Sequence, residues 1–132
     1  MIVIGIAAVS LLVGGIGIMN TMYTSILERN REIGIMKAIG AQNKDILSIF
    51  LIESGLLGLV GGVMGVIFGF SISKIIEYIA VQQLGTKLLQ AASPLWLIIA
   101  CLAFAFLTGS ISGLWPAWQA SKTNVVDAVR YE

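Results

Sequence analysis

Residues 1–27 carry no charged side chain, Ile46 to Ser73 carry one, Glu53, and Leu88 to Ser121 carry none. At about 1.5 Å per residue each stretch makes a helix of roughly 40–50 Å, longer than the hydrocarbon core of a bilayer at about 30 Å. Backbone polar groups in lipid must be satisfied within their own segment, so such stretches cross as helices. The spacing therefore predicts an all-α integral membrane protein with three transmembrane helices. Composition agrees: 58% of the 132 residues are hydrophobic and a further 15 are glycine. A cleaved signal peptide is the competing reading of the first stretch. It lacks a basic leading region, and its apolar run exceeds the usual 7–15 residues, so it reads as a span.

The remaining composition narrows function by exclusion. Eight basic and seven acidic residues leave a net charge of +1, which offers no basic field for nucleic acid. There is no histidine and one cysteine, Cys101, which removes His-based acid–base chemistry, Ser-His-Asp and Cys-His nucleophiles, zinc sites and an intrachain disulfide. Self-contained catalysis is not expected, and no catalytic or metal-binding residue is assigned.

Arg29, Arg31, Lys37 and Lys44 lie between the first two spans and Lys122 and Arg130 follow the third, whereas only Lys74 and Lys87 lie between the second and third. The positive-inside rule then places the N-terminus outside and the C-terminus in the cytoplasm. Trp96 and the pair Trp115 and Trp118 bracket span three as interfacial belt residues. Ser93 is placed to cap that span with Pro94 at its first helical position, and Pro116 to kink or end it. Asn43 is placed to cap span two with Asp45 in its first turn, and Asn124 to cap a short cytoplasmic helix over 125–130. The expected organisation is a span over 1–27, a cytoplasmic helix within 28–42, a span with an outward extension over 44–79, an external loop over 80–93, a span over 94–118 and a cytoplasmic tail over 119–132.

The segment from Glu28 to Gly40 is the most unusual. Glu28 with Arg31 and Arg29 with Glu32 stand at i,i+3, where opposite charges support a helix, and Gly40 is a natural stop. Ile35, Met36 and Ile39 fall within one arc of about 100°. From these residues alone the segment reads equally as a solvated connector, a helix lying on headgroups or a docking surface.

Span two holds six glycines, Gly55, Gly58, Gly61, Gly62, Gly65 and Gly69, with small-xxx-small pairs at 58/62, 61/65 and 65/69. Such residues let helix backbones approach closely, within one chain or between two copies. Glu53 sits in the same span between the bilayer centre and the inner edge, depending on where the helix enters. An intramembrane charge must face protein or water, or snorkel. One carboxylate does not make a relay, so its expected role is structural or that of a hinge.

The run from Met19 to Ala41, with its Glu28-Arg29-Asn30-Arg31-Glu32-Ile33-Gly34 centre, resembles the signature of the FtsX-like permease family, specifically MacB-type ABC transporter permeases. The similarity continues through Phe50-Leu51-Ile52-Glu53-Ser54, Gly113-Leu114-Trp115-Pro116-Ala117 and the closing Val126 to Glu132. Permeases of that family have four membrane helices with a large external domain after the first, and this sequence resembles helices two to four. Thr123-Asn124 replaces the common Asp-Pro pair.

The resemblance implies that Glu28, Arg29, Arg31, Glu32, Ile35, Met36 and Ile39 belong to a coupling helix that docks on an ATP-binding subunit or domain. It also implies a homodimer, a membrane fusion protein as a further partner, and ATP-driven motion passed to the outer side. The chain has no phosphate-binding loop of the Gly-x-x-x-x-Gly-Lys-Ser/Thr kind, so ATP and Mg would be held by the partner. Two other readings share these helices: a regulator of external cell-wall hydrolases, and a small assembly protein working without an ATPase.

Overall fold

The computed structural model describes residues 1–84 and 94–122, and every element among them is helical: α1 (Ile2–Glu28), α2 (Asn30–Ala38), α3 (Asn43–Leu84) and α4 (Leu95–Ser121). Three of these, α1, α3 and α4, are long and apolar enough to cross a membrane. The proposed cap at Asn124 and its helix over 125–130 lie outside the described residues, as does Ser93.

Arg29 is the single non-helical residue between α1 and α2, at φ −99° and ψ 14°. Its N–H still donates to the Ser25 carbonyl at 3.0 Å, and its own carbonyl accepts from Ile33 N–H at 3.1 Å. The chain therefore turns with little loss of backbone bonding. The connecting helix is shorter than 28–42 because Gly40 ends it at φ +105°. Gly40 N–H donates to Lys37 O and Ala41 N–H to Met36 O, the paired bonds of a Schellman stop, which needs a left-handed residue where only glycine is unstrained.

Three end signals differ from expectation. Helix α3 begins at Asn43, but the residue before it does the capping: Gln42 O accepts from Asp45 N–H and Ile46 N–H, while the Asp45 carboxylate accepts Gln42 N–H at 2.9 Å. A carboxylate three residues into the helix reaching back is one arm of a capping box. Pro94 is itself the N-cap of α4, in an extended conformation, rather than its first helical residue. Pro116 does not end α4. The helix continues through it to Ser121, with the ring buried among neighbouring helices. A missing N–H costs one bond, and a packed site can hold the helix across it.

Helices α3 and α4 make the most extensive contact, and α1 lies mainly against α4. Ser54 meets Gly113, Gly58 meets Gly109, and Gly62 meets Ala105, so α3 runs antiparallel to α4. Gly15 meets Ser112 on α4, while Ile26 and Asn30 share a groove with Pro116 and Ala120, so α1 runs parallel to it. The fully packed core is confined to one end: Met22, Ile26, Ile33, Ile46, Phe50, Ala117 and Ala120, drawn from all four helices. Toward the other end the large apolar side chains are exposed.

Candidate functional site at the packed end

Helix α2 crosses the packed end of the bundle and carries two separate apolar edges. Ile33 is 0% exposed and plugs the core, with Met36 partly buried beside it. Ile35 and Ile39, at 51% and 83% exposure, point away from the chain. Met36, which the 100° arc groups with Ile35 and Ile39, turns instead toward the core beside Ile33. At 100° per residue Ile33 and Ile35 lie about 160° apart, so two apolar edges on opposite sides was the signal available.

Polar contacts hold α2 near both of its ends. Arg29 Nη1 lies 3.4 Å from Glu53 Oε1 and 3.5 Å from Oε2, which joins the α1–α2 turn to α3. Lys37 Nζ donates to the Ser121 carbonyl at 2.7 Å, which joins α2 to the C-terminal end of α4, where a cation meets the negative end of the helix dipole. Arg29 thus turns to Glu53 rather than to Glu32 on its own segment. Glu28, Arg31 and Glu32 are exposed. Lys122 covers the Trp118 ring at 3.6 Å.

Glu53 stands level with the last residues of α1, whose apolar run ends at Leu27, and is not deep in an uncharged span. The α3 residues from Ser54 to Ser73, between Glu53 and Lys74, then form an uncharged run of about 30 Å. Lys74 and Glu77 pair at 2.9 Å at its far end.

The glycines of α3 divide into two groups. A Cβ at Gly58 would lie 2.9 Å from Gly109 Cα and closer still to the Ala105 carbonyl oxygen, and one at Gly62 would lie 2.5 Å from Ala105 Cβ. These positions, with Gly55 against Phe106 and Ser110, admit α4 to close approach. Gly61, Gly65 and Gly69 face open space among the described residues. The Ser110 hydroxyl of α4 reaches the Leu51 carbonyl of α3 at 3.4 Å, a bond that Ser54 makes from within α3 at 3.0 Å.

Three apolar helices whose outer surfaces are lined with exposed Ile, Leu, Val and Phe are those of a multi-pass membrane protein. Its family follows from comparison: the model for the FtsX-like permease C-terminal domain matches residues 4–125, and the chain belongs to that family. It is 48% identical over 98% of its length to an uncharacterized ABC transporter permease of Methanocaldococcus jannaschii. It is 42% identical over its whole length to the macrolide export ATP-binding/permease protein MacB of Bdellovibrio bacteriovorus. The uncharacterized ABC transporter permease YknZ of Bacillus subtilis is 43% identical over 96% of the chain. The chain spans 32%, 19% and 30% of these relatives respectively.

Proposed function

We propose that this chain is the membrane-spanning part of a MacB-type ABC transporter permease in which α2 docks on an ATP-binding partner and passes its motion to the outer side. The observation that carries this reading is the division of labour on α2. One edge is locked into the bundle by Ile33, by Arg29 with Glu53 and by Lys37 with Ser121, while the opposite edge offers Ile35 and Ile39 to solvent. A nine-residue helix is marginal alone in water. Held this way, it moves with the ends of all three spans.

The close-packed α3–α4 pair suits transmission better than conduction, since glycine contacts let two helices shift as a unit. The platform lies in the cytoplasm, the N-terminus outside and Lys74 at the outer edge, in keeping with the basic residues of the platform segment. ATP and Mg are held by the partner, two permeases form a homodimer, and a membrane fusion protein joins on the outer side. Substrate export is the output.

The test uses the complete protein. Ile35→Ala/Ile39→Ala should reduce co-purification of the ATP-binding partner about tenfold or more, with Lys37→Ala weakening it less. Wild-type association and ATP-driven function in the double variant would reduce α2 to an interfacial connector.

A further inference from the structure

We infer that Lys37 is the positioning residue through which a displacement of α2 reaches α4, a role separate from docking. This rests on the coupling reading above and names the contact that carries the motion. Ile33 is buried in the core and holds α2 at one point, about which a nine-residue helix is free to swivel. Lys37 stands one turn further on, about 6 Å along the axis and within about 40° of the same face. Its Nζ donates to the Ser121 carbonyl at 2.7 Å, so α2 is held at a second point and its direction is fixed.

The acceptor sets this contact apart from the Arg29–Glu53 pair. Arg29 meets a carboxylate on a rotatable side chain at 3.4 Å, with both groups partly exposed. Lys37 meets backbone, which moves only when α4 moves. The bond is charge-assisted, and its cation stands at the negative end of the α4 dipole. Ser121 is buried, and its hydroxyl donates to the Trp118 carbonyl at 2.7 Å, which ties the last turn of α4 to itself. Ala117 and Ala120 in the same segment are core residues, and Gly113 and Gly109 behind them meet Ser54 and Gly58 of α3. Displacement delivered at Ser121 therefore enters the α3–α4 pair where it is most closely packed.

Lys37 also stands clear of the docking edge. It lies about 160° around α2 from Ile35 and from Ile39, and it is partly buried where they are exposed. A change at Lys37 leaves the apolar edge intact, so grip on the partner and transmission to α4 are separable.

Lys37→Met keeps the stem of the side chain and removes its donor. The test uses the complete protein with its ATP-binding partner in lipid vesicles, in a cysteine-free background that includes Cys101→Ala. A nitroxide on Leu95→Cys, at the other end of α4, reports motion when ATP and Mg are added. Lys37→Met should shrink that spectral response at least fivefold, while partner binding and ATP hydrolysis stay within about twofold. Lys37→Arg should recover at least half of the response, and Arg29→Met should retain at least half. A full response in Lys37→Met overturns the role of Lys37 and leaves docking standing. Parallel loss of binding, hydrolysis and response, the pattern expected of the core variant Ile33→Ala, makes Lys37 merely structural and overturns it too. An unsubstituted protein that binds its partner and hydrolyses ATP with no response at Leu95 overturns both this role and the transmission reading.

Discussion

The Arg29 guanidinium lies 3.4 Å from the Glu53 carboxylate, pairing the residue at which α1 breaks into α2 with the charge nearest the uncharged run of α3. The pair explains two features at once. Glu53 has its counter-ion at the edge of the apolar region, and the bend after α1 is anchored to a helix other than its own. Both side chains are partly exposed, 51% and 33%, so the contribution to stability is modest, about 0.2–1 kcal/mol.

Reversing one member should therefore cost more than removing it, because like charges then meet. Arg29→Glu and Glu53→Arg are each expected to lower the thermal midpoint of the purified protein. The double reversal should recover at least half of the summed loss. Additive losses in the double variant would show that the two side chains do not interact.

The two groups of glycines on α3 should respond differently to bulk. Leucine at Gly58 would drive its side chain into the Ala105 carbonyl and the Gly109 backbone, which cannot yield, whereas at Gly61 the space is open. Gly58→Leu is expected to abolish folded protein or ATP-driven function, and Gly61→Leu to leave the folded yield within about twofold of wild type. Size-exclusion profiles of the two variants decide the matter, and equal tolerance would mean that α3 and α4 are not in close contact at Gly58.

Ile33 and Ile39 stand six residues apart on a nine-residue helix and its C-cap, yet they should differ sharply in cost. Ile33→Ala leaves a cavity in the core and should destabilise by about 2–5 kcal/mol. Ile39→Ala, at an exposed position, should stay within about 0.5 kcal/mol. Unfolding in denaturant compares them directly. Similar values would place Ile33 outside the core.

Orientation is open to impermeant thiol labelling of intact cells in a background with Cys101→Ala. Gln82→Cys, beyond the Lys74–Glu77 pair, should label at least fivefold faster than Ile39→Cys on the platform. The reverse order would invert the topology and place α2 outside.

The three spans were legible in the sequence because membrane crossing is a one-dimensional property: a long run without charge must be helical in lipid whatever lies beside it. The stop at Gly40 was legible for a similar reason, since a left-handed residue is a local requirement. The family was legible in the run from Met19 to Ala41, and the match over residues 4–125 agrees with it.

What only the tertiary structure decided was which side of each helix meets which neighbour. Six glycines in α3 look alike in sequence, yet Gly55, Gly58 and Gly62 face α4 while Gly61, Gly65 and Gly69 face outward, because the crossing selects one side of the helix. Glu53 could not be placed along its span until Arg29 was seen opposite it. Pro116, a stop signal when read locally, sits inside a continuous helix because surrounding residues pack its ring. Ile33 and Ile35 are the same residue type two positions apart. One is core and the other surface, because a 100° step per residue turns them to opposite sides of a helix that the rest of the chain covers on one side only.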